Sequence, residues 1–228
     1  MAGATAYATY TDVAVYLKAA SLAGNQPMFT TFCLNASRGI DRYCERYFDA
    51  RGAATRYFDG NGSPELTIAE HDFYSLTVLK IALNENNDFT DPAQAYTISG
   101  DGKTPPSNYY LGPSNPVEIG SVGDQTAVRP YYRITLPSNP KSGSTTDYLS
   151  TFTQGKRTVA ITASWGWPQI PDEIKNLTVK VAIRMWKARD AGYDGSQGSP
   201  DIGIVDVSRM LDKGDLDVLR DYRRSQVF

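Results

Sequence analysis

Histidine and cysteine are nearly absent from this 228-residue chain: His71 is the only histidine, and Cys33 and Cys44 are the only cysteines. A zinc site built on several His or Cys ligands is therefore excluded by supply. If both cysteines lie on one helix, their eleven-residue spacing sets them roughly 16 Å apart along its axis. A disulfide needs Cα atoms within about 7 Å, so the pair is expected to be reduced and buried, as in a cytoplasm. An excess of charge is also missing: 23 Lys and Arg stand against 25 Asp and Glu, a net charge of −2. Proteins that bind nucleic acid by neutralising phosphates carry a basic surplus, so neither a dedicated DNA-binding role nor a membrane-surface role is expected. No apolar run reaches the roughly 18 residues of a membrane span. Met1 to Ala6 has neither a basic nor an apolar signal region, so no secretory signal is expected.

What is present is apolar content, 41% of the residues, sufficient at this length for one large domain or two small ones. Thr11-Asp12 predicts the cap of a short helix from Val13 to Ala20, stopped by Gly24-Asn25. Phe29, Phe32, Cys33, Ala36, Ile40, Tyr43 and Tyr47 recur at helical spacing, predicting a longer helix to about Tyr47 with Pro27 near its start. From Thr55 the period changes to two. Strands are expected at 55–58, 66–68, 76–83, 95–98, 109–111, 131–136 and 158–165, with Asp59-Gly60-Asn61-Gly62 reading as a hairpin turn. Asp172 and Glu173 open a second long helix with Ile174, Leu177, Val181, Met185 and Trp186 along one stripe and Gly192 as its stop. The stretch from Asp194 to Pro200 reads as a flexible linker, and a last helix is expected from about Leu211 to Arg223.

Several strings suggest chemistry and fail on spacing. Gln154-Gly155-Lys156-Arg157 has Ser150 and Arg157 where a phosphate loop requires Gly and Ser or Thr, so it reads as a hairpin turn. The oxygen-rich run from Asn84 to Asp91 lacks the glycine and glutamate of a calcium loop. Glu70-His71-Asp72 has no Gly-x-Ser-x-Gly elbow beside it and reads as a surface turn. Asn35 and Asn176 match glycosylation patterns but fall inside expected helices. The tyrosines Tyr57, Tyr74, Tyr96, Tyr109, Tyr110, Tyr131 and Tyr132 cluster in the strand region, where aromatics serve a core or a subunit interface, or stack a ligand. Tyr109, Tyr110, Tyr131 and Tyr132 are candidate subunit-interface residues. No catalytic residue, metal ligand or cofactor site is identified, and the chain is not expected to be an enzyme.

Two strings bracket the strands. Ala36-Ser37-Arg38-Gly39-Ile40-Asp41-Arg42-Tyr43-Cys44-Glu45-Arg46-Tyr47-Phe48 follows the short helix. Trp165-Gly166-Trp167-Pro168-Gln169-Ile170-Pro171-Asp172-Glu173-Ile174 leads into Arg184-Met185-Trp186-Lys187-Ala188-Arg189-Asp190. In order and in residues this resembles the head–tail connector (adaptor) proteins of long-tailed double-stranded DNA bacteriophages. The match covers roughly residues 10–50 and 158–191. This chain departs in a longer insert, and in Ile170-Pro171 where Val-Pro is common.

The resemblance implies an α+β fold: a small helical bundle from residues 1–50 and 166–193, an inserted antiparallel β-domain at 51–165, and a linker with a C-terminal extension helix at 194–228. It implies a homo-oligomeric ring, usually of twelve copies, between the portal protein at the capsid vertex and the tail, with a stopper or tail-completion protein as neighbour. Double-stranded DNA would pass through without specific binding, in a virion assembled in the bacterial cytoplasm. The C-terminal segment would reach the portal, with Leu211, Leu216, Leu219, Tyr222 and Phe228 as candidate anchors. A tail helix packed on its own domain is the other expectation for that segment. Competing readings are a tail-associated carbohydrate-binding or hydrolytic β-domain, and a neighbouring stopper or tail-completion protein.

Overall fold

A capping side chain sets where the first helix begins. In the computed structural model, which describes residues 5–18, 23–68, 71–83, 88–91, 95–99, 109–112, 130–137, 149–190, 196–199, 203–206 and 211–223, the first helix α1 (Tyr10–Tyr16) starts at Thr9 rather than Thr11. The Thr9 hydroxyl accepts from the Asp12 N–H while the Asp12 carboxylate takes the Thr9 N–H, a reciprocal capping box. A short 3-10 turn (Ala23–Asn25) leads into α2 (Gln26–Cys44), with Pro27 in its first turn. The helix stops three residues short of Tyr47 because Glu45 turns left-handed, at φ +56°. The chain then runs through β1 (Ala50–Gly60), β2 (Glu65–Thr67), β3 (Phe73–Ala82), β4 (Ala95–Ser99), β5 (Tyr110–Gly112), β6 (Arg133–Thr135) and β7 (Gly155–Gly166). It ends with α3 (Asp172–Asp190), β8 (Ser196–Ser199), β9 (Gly203–Asp206) and α4 (Lys213–Arg220). The protein is α+β, with every strand pair among the described residues antiparallel and a helix near the C-terminus.

The chain divides into two compact units, Met1–Asp49 with Ile170–Phe228, and Ala50–Gln169. In the first, α1, α2 and α3 bury Ala8, Val13, Phe29, Cys33, Val179, Ala182 and Ile183 together, and the Phe29 ring lies 5.7 Å from Trp186. Lys175 of α3 pairs with Asp12 of α1 at 2.9 Å. The stretch from Asp194 to Pro200, expected to be a linker, instead holds β8, paired with β9 from Ser196↔Asp206 to Ser199↔Gly203.

The second unit contains a four-stranded sheet in the order β1-β7-β3-β4 and a three-stranded sheet in the order β2-β6-β5. The two share one apolar core, from Leu76, Leu79, Ile81, Val159 and Ile161 on the larger sheet to Leu66, Leu111 and Ile134 on the smaller. The turn Asp59-Gly60-Asn61-Gly62 does not close a hairpin. β1 pairs with the distant β7, in unbroken register from Ala53↔Ser164 to Phe58↔Val159, while β2 pairs with β6. The turn is an Asn-based one: the Asn61 side chain accepts from the Ser63 N–H at 3.0 Å and donates to the Glu65 carbonyl at 2.8 Å. Gln154 to Arg157 likewise forms the irregular start of β7 rather than a hairpin, with Arg157 at φ +56° and its N–H donating to Asp59 at 2.8 Å.

Gly60 marks the tightest point of this pairing. A Cβ there would sit 1.9 Å from the Thr153 carbonyl oxygen and 2.5 Å from the Thr158 hydroxyl, which accepts the Gly60 N–H. Gly52 sits at φ +70° in the register shift between Ala50 and Ala53, with open space around it. Gly60→Ala should therefore lower unfolding free energy by about 2–3 kcal/mol through overpacking. Gly52→Ala should cost about 1 kcal/mol from backbone strain alone. Urea titrations of both variants at neutral pH test that ordering.

Candidate functional site

Most polar side chains that could do chemistry hold the fold. On α2, the Ser37 hydroxyl donates to the Cys33 carbonyl at 2.7 Å and accepts the Tyr7 N–H at 2.9 Å. One turn on, buried Asp41 accepts the Tyr7 hydroxyl and pairs with Arg38 at 2.8 Å. The Tyr7 oxygen in turn accepts the Phe48 N–H at 2.9 Å. Burial, then the Asp41 charge, push the Tyr7 phenol well above its ordinary range, so it remains a donor. Phe48 lies between Tyr7 and Tyr222, with ring centroids 5.8 and 5.7 Å away. Ser37, Ile40, Asp41, Cys44 and Phe48 of the bracketing string are thus core and latch residues. The thiols of Cys33 and Cys44 are buried, and burial pushes them up to about 11 and about 12.

The expected C-terminal anchors divide. Leu219 and Tyr222 are buried in their own unit, and the Tyr222 hydroxyl donates to Glu173 on α3 at 2.7 Å. Leu211 and Leu216 are half-buried. Phe228 lies outside the described residues. α4 is clamped at its start: Asp212 and Asp215 form a second capping box, and Arg184 bonds both carboxylates. Lys180 adds a contact to Asp215 at 3.0 Å. Burial alone would raise the Asp215 carboxyl. Arg184, the Asp212 N–H and Lys180 outweigh it and hold the group below its ordinary 3.8.

The four tyrosines of the strand region also differ in role. Tyr109 is buried in the β core, and Tyr131 packs on Phe73 with centroids 5.9 Å apart. Tyr132 is half-buried, while Tyr110 is 58% exposed. Of the triplet 70–72, Glu70 lies outside the described residues. His71 packs edge-on to Trp165 at 5.9 Å. Asp72 is buried, accepts the Trp167 indole N–H at 3.3 Å and, through its carbonyl, the Gly166 N–H at 2.7 Å. Trp165, Gly166 and Trp167 of the second string are thus anchored from the β unit's own side. Among the described residues no group of three or more His, Cys, Asp or Glu side chains is gathered for a metal ion, and no helix is long and apolar enough to cross a membrane.

The feature that sequence reasoning missed lies on β1. A cleft of about 770 Å³ is lined by Arg56, Tyr57, Phe58, Asp59, Leu66, Thr67, His71 and Arg157. The Arg56 guanidinium sits 4.7 Å over the Trp165 ring and that of Arg157 sits 4.7 Å over Tyr57. Burial and then the charge of Arg51 hold Arg56 below its usual range. The only hint in the sequence was alternation at 55–58, which places Arg56 and Phe58 on one face but does not reveal which strand lies beside them.

No family model matches the chain, and no curated protein does. A chain in a solved structure described as "Neck of empty GTA particle computed with C6 symmetry" is similar at 14% identity and a TM-score of 0.48, over 96% of this chain and 90% of that one. Likeness at that level carries no argument about what this chain does.

The α4 clamp has a defined pH dependence. A carboxyl held low in the fold gives stability that is present above its unfolded value and lost as pH falls through its folded one. Stability should therefore decline below about pH 4, as Asp215 takes up a proton. Asp215→Asn should cost about 2–3 kcal/mol at pH 7, by leaving Arg184 poorly paired, and should flatten that acid limb. Denaturant titrations from pH 3 to 7 measure both effects.

Proposed function

We propose that this chain is a structural subunit of a ring at the junction between a phage-type capsid and its tail, a head–tail connector, and that it is not an enzyme. The observation that carries this reading is the division of the chain. Residues from both ends, Met1–Asp49 and Ile170–Phe228, form one compact unit that holds the four α-helices and the β8–β9 pair among the described residues, and Ala50–Gln169 forms a β unit inserted between them. This is the organisation expected from the connector resemblance. The two strings on which that resemblance rests fall at the latch residues of α2 and at the approach to α3.

Other features support the reading. The buried carboxylates Asp41, Asp72 and Asp215 are engaged by neighbours inside the fold, which gives each a structural task. A net charge of −2 suits a conduit through which DNA slides, since each phosphate contact would retard it. With Tyr109 and Tyr131 packed inward, the tyrosines give little support to a carbohydrate-stacking surface. Since Leu219 and Tyr222 are covered, contact with a portal would fall to outward residues of α4, of which Val218 is 41% exposed.

Electron microscopy of the purified protein, and of tailed particles carrying it, provides the test. Rings of the free chain, or density for it between capsid and tail, are expected. A strict monomer that is also missing from particles would refute the proposal.

A further inference from the structure

The cleft on β1 opens between strands of different sheets. Arg56, Tyr57, Phe58 and Asp59 of β1 line it, and so do Leu66 and Thr67 of β2. These strands stand at the ends of the orders β1-β7-β3-β4 and β2-β6-β5. The volume of about 770 Å³ falls in the range of ligand sites. A smaller cavity of about 350 Å³ shares Tyr57 and Arg157 with the cleft and is walled further by Phe89 and Thr90. The two cavities together suit an extended ligand better than a single small ion.

Cations that hold the fold are paired: Arg38 with Asp41, Lys175 with Asp12, Arg133 with Glu65, and Arg184 with Asp212 and Asp215. The guanidiniums of Arg56 and Arg157 form no ion pair among the described residues. Each lies on a ring instead, 4.7 Å over Trp165 and 4.7 Å over Tyr57. A guanidinium stacked on a ring still presents its planar N–H fork to an oxyanion. Arg157 is also aimed by a distortion of the ladder. Between Phe58↔Val159 and Gly60↔Gly155, β7 sets Lys156, Arg157 and Thr158 against Asp59 alone, and Arg157 takes φ +56°. Such bulges re-aim side chains. The Asp59 carboxylate accepts the Arg157 backbone N–H at 2.8 Å, so it fixes the bulge without pairing the fork.

We propose that this cleft binds an acidic peptide segment of a partner protein, with an Asp or Glu carboxylate in the forks of Arg56 and Arg157 and its apolar neighbour against Phe58 and Leu66. The assignment goes beyond the ring reading and stands without it. The planar forks match a carboxylate, and such bonds are strong where water is scarce. Arg56 is half-buried, and burial already disfavours its charge, a cost that an incoming carboxylate offsets. Phe58 and Leu66 supply an apolar wall for a side chain beside the acid. Nucleic acid fits less well. A strand carries a phosphate at every nucleotide and would meet Asp59 in the cleft and Asp88 in the adjoining cavity. Its bases would also have to stack on aromatic rings, and Trp165 and Tyr57 already carry guanidiniums.

The test uses the full chain and a library of fluorescent hexapeptides, each with an Asp or Glu flanked by apolar residues, read by anisotropy. A matched library with Asn or Gln in place of the acid, inorganic pyrophosphate and single-stranded oligothymidylate are the other probes. Acidic peptides should bind, and their amide counterparts should bind about tenfold more weakly. Arg56→Gln and Arg157→Gln should each weaken the best acidic peptide by about tenfold. Arg157→Lys, which keeps the charge but not the fork, should weaken it by about threefold. Asp59→Asn removes a negative charge from the cleft and can still accept the Arg157 N–H, so it should tighten binding by about threefold at low salt. Arg56 also packs on Trp165, so thermal melts accompany each variant, and the exposed Arg157 decides the result if Arg56→Gln does not fold. Failure of every acidic peptide to bind, or binding that ignores Arg157→Gln, would overturn the proposal. Tighter binding of pyrophosphate or oligothymidylate, lost in Arg157→Gln, would overturn it in favour of a phosphate ligand. Arg157→Gln should leave any self-association of the chain intact; its loss would overturn the proposal in favour of a second copy as the occupant.

Discussion

The pairing of β1 with β7 is the constraint on which the rest depends. These are the first and last strands of the inserted unit, and they lie side by side from Ala50↔Gly166 to Gly60↔Gly155. A flexible insert of this length would add closure entropy to every contact between α2 and α3. Here the insert's two ends are joined by its own longest ladder, so the helical unit forms as if the intervening chain were a short connection. The ladder is reinforced from its sides: Thr55 and Thr162 share a hydroxyl hydrogen bond at 2.8 Å, and the Trp165 indole donates to the Ala54 carbonyl at 2.7 Å. Trp165 also carries Phe58 on one side and Phe73 on another, at 5.9 and 6.0 Å. Closing the insert and filling its core are therefore done by the same residue.

The polar interior follows a consistent rule. Among the described residues the buried polar or charged ones are Ser37, Asp41, Asp72, Thr158, Thr178 and Asp215, and each has a partner. Ser37 and Thr178 donate to the carbonyls of Cys33 and Ile174 one turn back, Thr158 bridges Gly60 to Thr153, and the aspartates take Tyr7, Trp167 and Arg184. A buried carboxylate without such partners would be costly enough to take up a proton instead. Three aspartates that a search for chemistry would single out are thus explained by tying distant segments together: the N-terminal residues to α2, the β3 entry to the β7 exit, and α4 to α3.

What the sequence revealed, and what it hid, follows the range of the interactions. The stripe from Phe29 to Ile40, Pro27 at the helix start, and the acidic opening of α3 are local signals, and α2 and α3 lie where those signals place them. The periodicity of β3 and β7 was equally visible. The end of α2 was misjudged because Tyr43 and Tyr47 keep the helical spacing while Glu45 turns left-handed. β1 was seen only from Thr55 because Ala50-Arg51-Gly52-Ala53-Ala54 has little intrinsic strand preference; its partner β7, far along the chain, holds it extended. The Asp-Gly-Asn-Gly turn suggested a hairpin, and the strands it joins belong to different sheets. β8 lies in Ser-Gln-Gly-Ser, where no apolar alternation announces a strand. The cleft beside Arg56 was invisible for the same reason as the β1–β7 ladder, since it exists only once Trp165 has been brought beneath that arginine.

This division also limits what a matching string can mean. The residues from Ala36 to Phe48 and from Trp165 to Pro171 perform structural tasks: a short hydroxyl next to a backbone N–H at Ser37, a carboxylate that accepts the Tyr7 hydroxyl at Asp41, an indole that donates to Asp72 at Trp167. They are evidence about how the chain folds. Evidence about what it joins has to come from the surface of the molecule, which these strings do not describe.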